Sequence, residues 1–137
     1  MAALAAAFLM TSCLDSVDGV SGSFSYDGGK YVINDAKYGY NSFHLGSYGQ
    51  YIDLYVPEDG KTVELIPGNE KKWSVSINLE DLVLSADNTN PGDVVDGRIT
   101  WRRSGYDYFE VSFDIRLESG KRLLGGCSGI FPVAVVD

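Results

Sequence analysis

The side chains that could do chemistry in this chain are few. His44 is the only histidine. A Ser/His/Asp relay, in which an imidazole moves a proton between a hydroxyl and its own carboxylate partner, would have to run through it. It stands between Phe43 and Leu45 in an aromatic segment, the setting of a strand histidine satisfied by a local hydrogen bond. HExxH, GxSxG and a phosphate-cradling glycine loop are absent. The 19 acids include Glu110 and Asp114 on one face of one alternating segment. Four residues along a strand is about 13 Å, beyond the separations of about 5–10 Å at which paired carboxylates cleave glycosides. They read as a solvated strand face. Asp87, Asn88, Asn90 and Asp93 carry oxygen ligands of the kind calcium accepts, but the EF-hand spacing and its terminal Glu are missing, and Asx residues beside Pro-Gly form turns. No catalytic residue, metal or cofactor is assigned, and the chain is read as non-enzymatic.

Binding chemistry is better represented. Tyr38, Tyr40, Tyr48, Tyr51 and Tyr55 fall within one short stretch, and Tyr51, Asp53 and Tyr55 alternate with Ile52, Leu54 and Val56. A tyrosine has an apolar ring that stacks on a sugar face and a hydroxyl that bonds its polar groups, so these residues with Asp53 are the candidate ligand site. Tyrosine is also a good strand former, and the same residues would serve as cross-strand packing pairs.

Strands must position these groups. The clearest is Asp107–Leu117, in which Phe109, Val111, Phe113, Ile115 and Leu117 alternate with Tyr108, Glu110, Ser112, Asp114 and Arg116. Period two means one face on a core and one in water. Turn residues flank it at Ser104–Asp107 and Glu118–Lys121, which predicts an antiparallel meander from about Val95 to Phe131. Upstream, strands are predicted at Phe24–Tyr26, Tyr31–Ile33, Tyr38–Leu45, Gln50–Val56, Thr62–Ile66 and Trp73–Leu79. Leu79–Ser85 fits an extended strand or a helical turn equally. Gly125, Gly126 and Gly129 in the last meander strand signal a bulge, curvature or close packing, and Pro132 sets Val133–Val136 at an edge or in a separate short strand. The fold class is all-β: an antiparallel β-sandwich or small closed β-barrel of about 8–10 strands.

Totals agree with one such domain. The chain has 137 residues, 45% hydrophobic and 22% charged, with 16 glycines and nine tyrosines, enough to bury a core and rich in turn and strand formers. The net charge of −8 argues against nucleic acid or an anionic membrane surface as the main partner, because both need clustered Lys and Arg. Cys13 and Cys127 are too few for a disulfide framework. Cys127, in the glycine-rich strand, reads as a small buried hydrophobe.

The N-terminus carries an address. Residues 1–12, MAALAAAFLMTS, hold no charged side chain, and the apolar run Ala2–Met10 is too short to span a bilayer but suits the hydrophobic region of a secretory signal. Leu9-Met10-Thr11-Ser12-Cys13 resembles a bacterial lipobox, which implies cleavage before Cys13 and lipidation of that residue. On this resemblance 1–12 is a lipoprotein-type signal peptide, 13–22 a lipidated cysteine with a Gly/Ser-rich tether, and 23–137 a single β domain. The run GRITWRRSGYDYFEVSFDIRLESGKRLLGGCSGIF is similar to the closing meander of small lipoproteins of the Bacteroidota. The resemblance implies a protein anchored by lipid in the bacterial outer membrane, facing the surface or the periplasm. Its expected role is that of a binding or accessory module, with a glycan or an envelope protein as partner and no nucleic acid. The alternative expectation is a structural or assembly component of an envelope or pilus complex, acting through protein contacts at a strand edge such as Val133–Val136.

Overall fold

The computed structural model describes residues 19–58 and 60–134. The expected signal segment 1–12, the expected lipidation site Cys13 and the following residues to 18 lie outside the described residues. Eleven strands follow in order: β1 Val20–Tyr26, β2 Gly29–Val32, β3 Asp35–Gly39, β4 Ser42–Ser47, β5 Gln50–Tyr55, β6 Thr62–Glu64, β7 Ser74–Asn78, β8 Val83–Asp87, β9 Val94–Ser104, β10 Tyr108–Leu117 and β11 Arg122–Ile130. They form a six-stranded sheet, β2-β1-β11-β10-β9-β6, and a five-stranded sheet, β3-β4-β5-β7-β8. Every strand pair is antiparallel. The two sheets pack face to face, so the architecture is a sandwich and not a closed barrel.

The inner faces meet in one apolar cluster that includes Phe24, Phe43, Leu45, Ile52, Leu54, Trp73, Ile99, Phe109, Phe113 and Phe131, all essentially inaccessible. Each such side chain contributes about 1.5–3 kcal/mol by leaving water. The alternation read from Tyr108 to Leu117 holds: all five apolar residues from Phe109 to Leu117 are buried, and Tyr108, Glu110, Ser112, Asp114 and Arg116 are not. The meander β9-β10-β11 is also as expected.

Three local readings change. The segment Tyr38–Leu45 is not one strand. Tyr40 and Asn41 both have left-handed backbone, φ +53° and +63°, and make the two-residue turn that joins β3 to β4. Such turns match the twist of a hairpin, and asparagine tolerates this conformation, but a tyrosine there does not announce it. This split takes the strand count past the expected ten. The last residues of the expected tether belong to β1 instead: Val20, Ser21 and Gly22 pair with Gly129, Ser128 and Cys127. Leu79–Ser85 resolves as a turn, with the Leu79 N–H donating to the Leu82 carbonyl at 2.8 Å, followed by the start of β8.

The glycines of β11 are there for close packing. A Cβ on Gly125 would meet the Ser23 carbonyl of β1, and one on Gly126 would meet the Val111 carbonyl of β10. At the other end of the chain, Val133 forms a single parallel bridge to Tyr38. The Tyr38 N–H donates to Pro132 O at 2.9 Å and the Ala134 N–H to Tyr38 O at 2.8 Å. The segment therefore covers the outer edge of β3; residues 135–137 lie outside the described set.

The sheets are not aligned. Ile33, entering β3, donates its N–H to Gly22 of β1 at 3.0 Å, whereas Tyr38, near the far end of β3, packs its ring 4.7 Å from that of Phe109 on β10. Between β1 and β10 lies β11. β3 thus runs across the end of the six-stranded sheet rather than along its strands, as in orthogonal packing.

Candidate functional site

The outer face of the five-stranded sheet carries three of the six predicted ligand residues, Tyr51, Asp53 and Tyr55. The two-residue turn Tyr48-Gly49, φ +50° and +88°, sets the register of β4 on β5. Gly46 faces Tyr51, His44 faces Asp53 and Ser42 faces Tyr55. On β5, Ile52 and Leu54 point into the core, while Tyr51, Asp53 and Tyr55 are half-exposed on the opposite face.

At the centre, His44 Nδ1 lies 2.6 Å from Asp53 Oδ1. An ionised carboxylate only accepts, so Nδ1 carries the proton. The Tyr51 ring lies 5.1 Å from the imidazole at an interplanar angle of 34°. Its hydroxyl accepts from Asn78 Nδ2 at 3.3 Å. Gln50 Oε1 accepts from the Glu80 N–H at 2.7 Å, tying the start of β5 to the β7–β8 turn. A depression of about 240 Å³ lies beside this group, lined in part by Asp35, His44, Tyr48, Gln50 and Tyr51.

The six predicted residues separate accordingly. Tyr51, Asp53 and Tyr55 share the face. Tyr48 stands at its rim on the β4–β5 turn, highly exposed. Tyr40 is exposed on the β3–β4 turn, at the opposite end of β4. Tyr38 leaves the group: its ring packs inward against Phe43 and Phe109, and its hydroxyl donates to Asn41 Oδ1 at 3.2 Å. His44 and Asn78 join the face without having been predicted for it. The signal for His44 lay in the turn. Taking Tyr48-Gly49 as the two central residues makes paired positions sum to a constant, which sets 44 opposite 53.

The arrangement has the parts of a relay in the wrong order. The register row is Lys37, His44, Asp53, Ser76, Ser85. Asp53 stands between the imidazole and the nearest serine of the row, and among the described residues no side-chain hydroxyl hydrogen-bonds His44. A relay needs the imidazole in the middle.

Other candidates are used structurally. Asp87 Oδ1 accepts from the Thr89 hydroxyl at 2.8 Å, the Thr89 N–H at 2.8 Å and the Asn90 N–H at 2.7 Å. These bonds, the Thr89 hydroxyl foremost, hold its carboxyl below the usual range. Asn88 accepts from the Trp73 N–H and donates to Asn69 O. Both residues fasten turns, and no group of three acidic, His or Cys side chains among the described residues could hold a metal ion. Glu110 accepts from Arg102 at 2.8 Å, and Asp114 is gripped by both Arg122 Nε and Nη2, at 2.8 and 2.7 Å. Arg116 holds Asp96 in the same forked manner. Cys127 is buried, and burial pushes its thiol up to about 12.

No family model, no curated protein and no solved structure matches this chain.

Proposed function

We propose that this chain is a non-enzymatic, lipid-anchored protein of the bacterial outer membrane whose β-sandwich binds glycan on the outer face of the five-stranded sheet. One observation carries the glycan reading: Tyr51 and Tyr55 lie half-exposed on one face, on either side of Asp53, and Asp53 is held by His44. The two rings are four strand residues apart, about 13 Å, with a carboxylate, an imidazole and the Asn78 amide between or beside them. Sugar rings present apolar C–H faces to aromatic rings and hydroxyls to acceptors and donors of this kind at their edges, so an extended glycan can lie along β5.

The non-enzymatic part rests on the order of the His44–Asp53–Ser76 row and on the arginine partners of Glu110 and Asp114. The address rests on the lipobox-like Leu9–Cys13.

Two experiments test the reading. In affinity electrophoresis through soluble polysaccharides, the wild type is expected to be retarded by at least one glycan. Tyr51→Ala and Tyr55→Ala are each expected to weaken binding about tenfold, ~1.4 kcal/mol, with unchanged circular dichroism. No retardation in a broad panel, together with a stable crosslinked protein partner, would replace glycan binding by the assembly role. Protease shaving of intact cells, with Cys13→Ala as control, tests the address. Membrane association unchanged in Cys13→Ala would remove the anchor.

A further inference from the structure

The described chain begins at one particular end of the sandwich, and that end differs from the other in chemistry. Val20 pairs with Gly129, and Ile130 N–H lies 3.4 Å from Gly19 O. Tyr108, which opens β10, pairs with Ile130, so Gly19 is two strand spacings, about 10 Å, from the β9–β10 turn. That turn presents Tyr106, 64% exposed. Arg103 Nε and Nη2 both donate to the Tyr106 carbonyl, and the guanidinium lies 5.0–5.4 Å from the ring centroids of Tyr38, Tyr106 and Phe109. Tyr38, on which Arg103 lies, is two residues before Tyr40, which is 66% exposed on the β3–β4 turn. Ile130 is also exposed there.

The far end is acidic. Lys121, on the β10–β11 turn that also carries Glu118, bridges to Asp27 on the β1–β2 turn at 3.1 Å. The Glu118 N–H donates to Asp93 O, and Leu82, next to Glu80 and Asp81 on the β7–β8 turn, lines the same hollow as Tyr26, Glu118 and Lys121. Among the described residues, Asp27, Glu80, Asp81, Asp93 and Glu118 thus stand at the end away from Gly19, while the Tyr106 turn carries Asp107.

We propose that the end bearing Tyr40, Tyr106, Ile130 and the ring-bracketed Arg103 rests on the lipid–water interface of the membrane that holds the chain. The inference depends on lipidation of Cys13 as proposed above. Five residues separate Cys13 from Gly19, and the six steps between the two reach at most about 21 Å when fully extended, so the start of an anchored domain stays within that distance of the bilayer. It meets the bilayer with the end from which the chain issues. Tyrosines suit the interfacial layer because ring and hydroxyl each find their own medium there, and an arginine can lay its stem on apolar surface with its head in water. The outer face of the five-stranded sheet is then left open to the side for a ligand.

The test uses the full lipidated chain in vesicles of phosphatidylethanolamine and phosphatidylglycerol. A nitrobenzoxadiazole probe is placed on Ser104→Cys, beside Tyr106, or on Ser119→Cys, at the acidic end. Spin-labelled headgroup lipid is expected to quench the probe at 104 several-fold more than the probe at 119. Tyr40→Asn with Tyr106→Ser is expected to reduce the quenching at 104 while leaving flotation with the vesicles unchanged. Equal or reversed quenching in protein that still floats with the vesicles overturns the docking and spares the anchor. Protein that does not float at all overturns the anchor, and the docking with it.

Discussion

His44 and Asp53 are joined side chain to side chain across the β4–β5 ladder, 2.6 Å apart, on the face of the sheet that looks away from the core. Each side chain is more than a third exposed or close to it, 35% and 39%, so the pair does little for stability: such surface contacts contribute about 0–1 kcal/mol. Its effect is on position. It fixes the imidazole against which Tyr51 leans.

His44→Ala and Asp53→Asn are therefore expected to leave the urea midpoint nearly unchanged while weakening glycan binding several-fold. Equilibrium unfolding beside affinity electrophoresis separates the two effects. A large loss of stability in either variant would make the pair a structural clamp.

Cys127 is expected to be unreactive. With its thiol raised to about 12 by burial, almost no thiolate exists at pH 8, and the nucleophile is the thiolate. In a Cys13→Ala background, Ellman's reagent should register no thiol until guanidinium unfolds the protein. Cys127→Ser should cost about 1–3 kcal/mol, because it leaves a hydroxyl in an apolar site.

Gly125→Ala is expected to be among the most damaging single-carbon changes. Its Cβ would run into the Ser23 carbonyl on the neighbouring strand, with Phe24 Cα and Cβ close behind, and backbone in a sheet interior cannot step aside as a side-chain tip can. A loss of about 3 kcal/mol or more is expected from overpacking of this kind. Gly105→Ala, with nothing within 4 Å of its Cβ, should lose less and only through its φ of +75°. Urea titrations of the two variants give the comparison.

Acid should weaken the fold partly through Asp114. The hydrogen bonds from Arg122 hold its carboxyl below the ordinary range. A depressed folded value means stability that is present above the unfolded value of about 3.9 and lost as pH falls through the lower folded one. Asp114→Asn should accordingly show a flatter melting temperature between pH 5 and the acid limit than the wild type does. The contrast should shrink in high salt, because the pair is exposed.

The fold was more legible than the site. Alternation at Phe109–Leu117 and at Gln50–Val56 reported burial directly, because one face of each strand meets a continuous core and the other meets water. Sandwich and barrel could not be separated along the sequence: the difference lies in which strands are neighbours, and β1 beside β11 is a pairing across the length of the domain. Tyr38 misled for a related reason. In composition it belongs with Tyr51 and Tyr55, but the turn at Tyr40-Asn41 gives it the parity of Ala36, toward the core. The forked arginines were invisible because Arg116–Asp96 and Arg122–Asp114 join residues of different strands, whose register is set by loops of differing length.

The placement of β1 has a consequence for how the chain comes into being. Ser25 stands opposite Leu124, 99 residues later, and β1 is an interior strand of its sheet with β2 as its only early neighbour. A ribosome delivers β1 and β2 first and β11 almost last, so for most of synthesis the hairpin β1–β2 has an open flank that nothing local can fill. Contacts of such separation are slow to form, and a waiting strand edge invites the wrong partner. Closure of the six-stranded sheet is thus a late event that stitches the beginning of the domain to its end, and truncation before Arg122 would leave β1 unpaired on that side however well the intervening strands had folded.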